Sequence, residues 1–253
     1  MSFKLLLILV LLLLLLLLFL EPPTMDPELA FCPPSQEHPL GCSPIGEDFL
    51  RLLLSASGGT LFVAISARIL ALGISFLTTI HAFFNPQSRA LYKVLTQALL
   101  TIPSLFLAVL FKSLLGGGEL ALVSAMGLAE WALSHAWLGG RVNEHEKQTF
   151  VEAAYSLGAS RYFCARKHLL PHLKRDGLVL FFVYLPSSLL TASALEFLGF
   201  TVNSERPGLG YLVYAGKDYI FYQPHLALLP SFMLIVLVFG ALYFKDRLTS
   251  ELS

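Results

Sequence analysis

Between residues 139 and 177 the chain gathers residues whose types and spacing suit docking more than catalysis. Thr149-Phe150-Val151-Glu152 fits a capping box, in which Thr149 accepts the backbone N–H of Glu152 and Glu152 reaches back. Phe150, Val151, Ala154 and Leu157 recur at helical spacing, and Gly158 stands where a left-handed residue ends such a helix. Ser160 can cap a second helix from Arg161 to Leu169, made basic by Arg161, Arg166 and Lys167 and closed by Pro171. The expectation is two short helices hinged at Gly158, with small Ala153, Ala154 and Ala159 exposed beside the hinge. That shape can seat in a groove on a partner, or it can rest on anionic headgroups. The pattern alone leaves both open.

Other constellations are missing. There is no Gly-x-x-x-x-Gly-Lys-Ser/Thr for holding nucleotide phosphates, no His-Glu-x-x-His and no Gly-x-Ser-x-Gly. Gly116-Gly117-Gly118 precedes Glu119 and reads as a turn. The seven histidines are scattered. His135 can relay protons or simply pack, and packing is the better reading. Cys32, Cys42 and Cys164 form no CxxC or Cys/His cluster, so no metal is expected. Cys32 and Cys42 can pair if their segment lies in an oxidising compartment. No cofactor is implied. A net charge of zero gives no reason to expect nucleic acid.

The surrounding elements belong to a membrane. Of 253 residues 56% are hydrophobic and 13% charged, about half the charge of an ordinary soluble domain. Crossing a bilayer takes about 20 apolar helical residues. Six stretches qualify or nearly so: residues 5–20, 60–80, 94–115 (interrupted by Pro103 and Lys112), 120–138, 178–200 (containing Pro186 and Glu196) and 225–244. The first follows Lys4 like a signal peptide, but no A-x-A site follows it and bulky Phe31 precedes Cys32, so it reads as a retained anchor. With the N-terminus inside, twelve basic residues fall on the cytoplasmic side and four (Arg51, Lys112, Arg206, Lys217) outside. Both termini are then cytoplasmic. Arg68 lies within the second stretch and Glu196 in the fifth. Each can line a path, but facing a polar partner inside the bundle is the favoured reading. No other polar constellation is read within the spans.

Glu152-Ala153-Ala154, then Gly158, then His168-x-Leu170-Pro171 resembles the EAA loop of ABC importer permeases, and His168 at that position resembles the dipeptide/oligopeptide (peptide/nickel) group in particular. His38-Pro39-Leu40-Gly41 with Gly46 and Asp48, Ile102-Pro103-Ser104-Leu105, Phe197-Leu198-Gly199-Phe200, Pro207-x-Leu209-Gly210 and Gly216-Lys217-Asp218-Tyr219 are similar to further segments of that group, in order. The resemblance implies an all-α polytopic fold with six spans, in which the EAA loop is a coupling helix seated in a cytoplasmic ATPase. Glu152, Ala153, Ala154, Gly158, Ala159, His168, Leu170 and Pro171 would hold that docking geometry without catalysing anything. It also implies a second, homologous permease in a heterodimer, two ABC ATPases, an extracytoplasmic solute-binding protein and a bacterial plasma (inner) membrane. The chain departs from the group at Cys42-Ser43, where Thr-Asp is usual; at Glu47, where Arg is usual; at Ala136 and Gly139, where arginines are common; and at Thr201-Val202-Asn203-Ser204-Glu205, which lacks the usual glycine.

The expected organisation is therefore an anchor at 1–20, an extracytoplasmic segment at 21–59 and a permease domain at 60–247. Tyr211, Tyr214, Tyr219, Phe221 and Tyr222 in the last outside loop can form an interface belt, or meet the binding protein or substrate. The expected function is one permease subunit of an ATP-driven importer for peptides or similar small solutes. A self-contained secondary transporter or channel would show paired charges across repeats, and no repeat is evident. A membrane enzyme or non-transporting assembly subunit is the third reading.

Overall fold

The computed structural model describes residues 20–200 and 206–252. The anchor expected at 1–20 and the departure at 201–205 lie almost wholly or wholly outside them. Asp48 starts the first long helix, α1 (Phe49–Phe84), its Oδ1 accepting the Arg51 N–H at 2.8 Å. Asn85 caps α2 (Pro86–Leu100), accepting from the N–H groups of Gln87 and Ser88, with Pro86 in the first turn where its missing N–H costs nothing. Then come α3 (Ser104–Leu115), α4 (Glu119–Glu146), two short helices α5 (Thr149–Ser156) and α6 (Arg161–Cys164), and α7 (Leu170–Phe197). A short α8 (Leu209–Gly216) precedes the last helix, α9 (His225–Leu252). The fold is all-α; the lone β-bridge, Cys42 to Asp48, is the extent of strand pairing among the described residues.

Among the described residues, three helices are long and apolar enough to cross a membrane: Phe49–Phe84, Arg161–Phe197 and His225–Arg247. The third expected span is two helices, α2 and α3, bent by 102°, and makes a fourth crossing only if counted as one. The bend falls at Thr101 to Pro103, because a proline disfavours helical backbone in the residue before it. Residues 120–138 are helical as expected, but α4 is not apolar enough to pass the same test. Glu130, Ser134 and His135 dilute it, and all three are buried. The second expected span, 60–80, lies inside the longer α1. Gly116 and Gly118 both have positive φ, 86° and 83°, as the turn reading requires.

The chain divides into two compact units. One comprises Met1–Ile65, Gly116–Leu122 and Leu189–Phe239; the other comprises Ser66–Leu115, Val123–Ser188 and Gly240–Ser253. In the first, Phe49, Leu52, Leu53 and Ala56 of α1 pack with Leu209 and Leu212 of α8 and Leu226 of α9. In the second, Leu72, Phe83, Leu138, Val142, Leu173 and Leu180 form the apolar core, joined by Ala165 and Leu169. That last pair brings the α5–α6 region into the packed body of its unit.

Candidate functional site

α5 begins with Gln148 as N-cap, its carbonyl accepting the N–H groups of Val151 (2.9 Å) and Glu152 (3.1 Å). The expected capping box is not made. Thr149 already has helical backbone, one position too far in for its hydroxyl to reach the orphan donors. The C-terminus behaves as expected. Gly158 has φ +85°, its N–H donates to Tyr155 O (2.9 Å), and the Ala159 N–H donates to Ala154 O (3.0 Å). These are the paired bonds of a Schellman turn. A Cβ on Gly158 would meet nothing within 4 Å, so the backbone angle, and not space, calls for glycine.

Ser160 caps α6, its Oγ accepting the Phe163 N–H at 3.2 Å. Pro171 does not close this helix. Ala165–Leu169 forms a wider π turn that leads directly into α7, with Pro171 in the first turn of α7. Proline offers no N–H to the carbonyl four residues back, and a locally widened turn accommodates that defect without ending the helix.

The knuckle formed by α5 and α6 has one anchored and one open face. Val151, Cys164, Ala165 and Leu169 are buried. Charges fix its base: Glu146 accepts from Arg89 Nη2 at 2.7 Å and lies 3.7 Å from Arg161 Nη2, while the Arg161 guanidinium sits over the Phe83 ring at 5.0 Å. Asp176 accepts from Arg141 Nε at 3.2 Å, and Arg141 Nη1 donates to Glu144 at 2.6 Å. The hydrogen bond to Asp176 raises the Arg141 pKa above its ordinary value. On the open face Leu157 is 89% exposed and Tyr162 64%, and Glu152, Ala153, Gly158 and Pro171 are exposed as well. The Glu152 side chain makes no hydrogen bond or ion pair among the described residues. Ala154, Ala159 and Leu170 are half-buried, as is His168, whose ring lies 5.4 Å from Phe150 and 6.2 Å from Phe163.

Arg68 faces a polar partner that sequence reading missed. Its Nη1 donates to Glu130 at 2.8 Å and its Nη2 to Ser134 at 2.6 Å; Ser188 Oγ donates to the same carboxylate at 2.8 Å, and the Tyr184 ring lies 5.1 Å from the guanidinium. The expectation that Arg68 and Glu196 were the whole intramembrane polar set is therefore wrong. Glu130, the one acid inside residues 120–138, with Ser134 one turn on, was the available signal. Glu196 is held separately. Thr60 Oγ1 donates to it (2.9 and 3.1 Å), the Gly210 N–H donates to it (3.0 Å), and the Leu209 N–H donates to Thr60 (2.8 Å). The carboxylate thereby caps the start of α8. His135 packs: its Nδ1 lies 2.8 Å from the Thr78 hydroxyl and its ring against Tyr92 and Trp131.

Ahead of α1, Cys32 and Cys42 form a disulfide, resolving what their spacing left open. His38 Nδ1 meets Asp48 at 2.8 Å. Burial raises the Asp48 pKa, but the Arg51 N–H and the His38 ring outweigh it and hold the carboxyl below its ordinary range. Of the late aromatics, Phe221 and Tyr222 are exposed at 90% and 85%.

Residues 69–250 match the model of the family described as "Binding-protein-dependent transport system inner membrane component". The chain is 25% identical over 222 residues to the oligopeptide transport system permease protein OppC of Bacillus subtilis (strain 168), covering 87% of this chain and 72% of that one. It is 24% identical over 220 residues to the glutathione transport system permease protein GsiD of Pectobacterium atrosepticum, covering 87% and 73%. Among solved structures, an inward-facing MetNI methionine ABC transporter chain is similar with a TM-score of 0.65 at 18% identity, covering 81% of this chain and 98% of that one. An amino acid ABC transporter chain gives 0.64 at 14% identity, covering 79% and 93%. At such identities these two structures speak for the fold alone.

Proposed function

The chain belongs to the family of binding-protein-dependent transport system inner membrane components, and on that premise we propose that it moves peptides or similar small solutes as one of two permeases in an ATP-driven importer. Members of this family are transport subunits that work with separate ATPase and solute-binding subunits, and the protein is a multi-pass membrane protein. The peptide class is supported by the oligopeptide and glutathione permeases among its relatives. In this reading its partners are a homologous but non-identical permease, two cytoplasmic ABC ATPases, an extracytoplasmic binding protein and the lipid of a bacterial plasma membrane. Both termini and the α5–α6 knuckle face the cytoplasm.

The observation that carries the proposal is the knuckle itself: an exposed apolar tip at Leu157 and Tyr162, on a base fixed by Glu146 and Asp176. A tip that is apolar and open is suited to burial in a protein cleft. A base that is ion-paired and continuous with α7 passes a displacement on instead of absorbing it. Glu152, Ala153, Ala154, Gly158, Ala159, His168, Leu170 and Pro171 shape this docking surface.

The test is reconstitution of the complex, with its co-purifying ATPases and binding protein, in proteoliposomes. Substituting Glu152→Ala or Gly158→Val is expected to leave insertion intact and ATP hydrolysis measurable while peptide uptake is lost. Normal uptake by both variants would overturn the coupling role.

A further inference from the structure

Two neighbouring acids ahead of α1 are treated very differently by the fold. Asp48 is matched by the His38 ring and the Arg51 N–H. Glu47, 8% exposed, has a single hydrogen-bond donor among the described residues: Ser43 Oγ, which donates to Oε2 at 3.0 Å and accepts the Ile45 and Glu47 N–H groups in return. No described cation stands against it. A carboxylate offers about four acceptor sites, so one protein donor leaves the rest of this one's capacity to whatever enters the cavity beside it. The same burial raises the Glu47 pKa above the ordinary carboxylate value.

Glu47 and Ser43 also line a cavity of about 450 Å³, together with Phe49, Tyr211, Tyr219 and Leu226. That volume is in the range of small-molecule sites, about 300–1,000 Å³, which are mostly apolar with a few placed polar groups. Aromatic faces attract cations electrostatically and also accept apolar bodies. A ligand bearing an ammonium group and an apolar side chain would bring the charge and the N–H donors that Glu47 lacks.

We propose that this cavity is a binding site for small organic cations, with Glu47 as the counter-ion and the aromatic wall receiving the apolar part. A short peptide with a free amino terminus is the solute that fits this chemistry; that choice rests on the transport reading above, whereas the cation site does not. The cavity, and not a flat surface, favours a free small molecule over a side chain of an arriving protein.

Binding is measured by titration calorimetry on the chain in lipid nanodiscs with its co-purified subunits, without nucleotide. The probes are Phe-Ala, N-acetyl-Phe-Ala and phenethylamine. Phe-Ala and phenethylamine are expected to bind, with acetylation and Glu47→Gln each weakening binding at least about tenfold. Equal affinity for Phe-Ala and its acetylated form, Glu47→Gln without effect, or no binding of either amine to the unaltered chain would each overturn the proposal. The comparison of probes on the unaltered chain does not depend on a variant folding. Peptide uptake, assayed separately, reports on the transport reading: Glu47-dependent binding of phenethylamine without peptide uptake would sink that reading and support the cation site.

Discussion

Arg68 Nη1 donates to Glu130 at 2.8 Å with both side chains buried, so that two charges in the helical body of the protein neutralise one another. Removing one partner leaves the other uncompensated. Arg68→Met or Glu130→Leu alone is expected to destabilise the protein by about 3–5 kcal/mol. Arg68→Met combined with Glu130→Leu should recover most of that loss. Thermal unfolding in detergent of the two single variants and the double variant checks this; strictly additive losses would show that the pair is not coupled.

Gly158 tests backbone against space. With φ +85° and nothing within 4 Å of an added Cβ, Gly158→Ala costs about 1–2 kcal/mol through the left-handed angle alone. Gly158→Asn should cost less, because asparagine visits that region more readily. Proteolysis of α5 and uptake with ATP hydrolysis are the readouts, with asparagine expected between glycine and alanine in both.

Two helical glycines should respond in opposite directions. An added Cβ on Gly210 would lie 1.9 Å from the Ser193 carbonyl oxygen and 2.9 Å from the Glu196 Cβ. Gly210→Ala must displace α8 from its clasp, and a loss above about 3 kcal/mol is expected. Gly73 lies in α1 with nothing within 4 Å, and Gly73→Ala should stabilise by about 0.5–1 kcal/mol. Melting temperatures in one detergent decide the signs.

The segment ahead of α1 should depend on reduction and on acid. Breaking Cys32–Cys42 reopens a ten-residue separation, worth about 2–3 kcal/mol in the chain-entropy picture. Reductant should lower the melting temperature of the unaltered chain but not of Cys32→Ser. Asp48, with its pKa held below the usual value, contributes stability that is fully present above the unfolded value of about 3.9 and is lost as pH falls through its lower folded value. Asp48→Asn should remove that acid dependence. A melting curve equally acid-sensitive in Asp48→Asn would refute the assignment.

Much of this was legible in the residues because local rules operate within one element. Gly158 and Ser160 end and start helices through bonds to residues at most five positions away, so sequence suffices to place them. The capping box failed by one position, since where α4 ends decides which residue caps α5, and that depends on packing. Pro171 does not end a helix because the π turn before it carries the proline into a longer one, and no local rule announces that turn. Glu130 takes its meaning from its partner, 62 positions distant in sequence, which no local pattern marks. Family membership, in turn, decides against a self-contained secondary transporter. Glu47 illustrates the same limit: nothing local announces that a cavity wall from α8 and α9 will close beside it.

Thr60 and Glu196 are 136 positions apart, and the backbone they jointly hold begins later still, at Leu209. During synthesis, therefore, Glu196 emerges long after Thr60, and α8 must follow before the acid's donor set is complete. A nascent polypeptide halted before that point presents a carboxylate without its full shell of donors. The clasp is thus a contact that only a chain made past Gly210 can close.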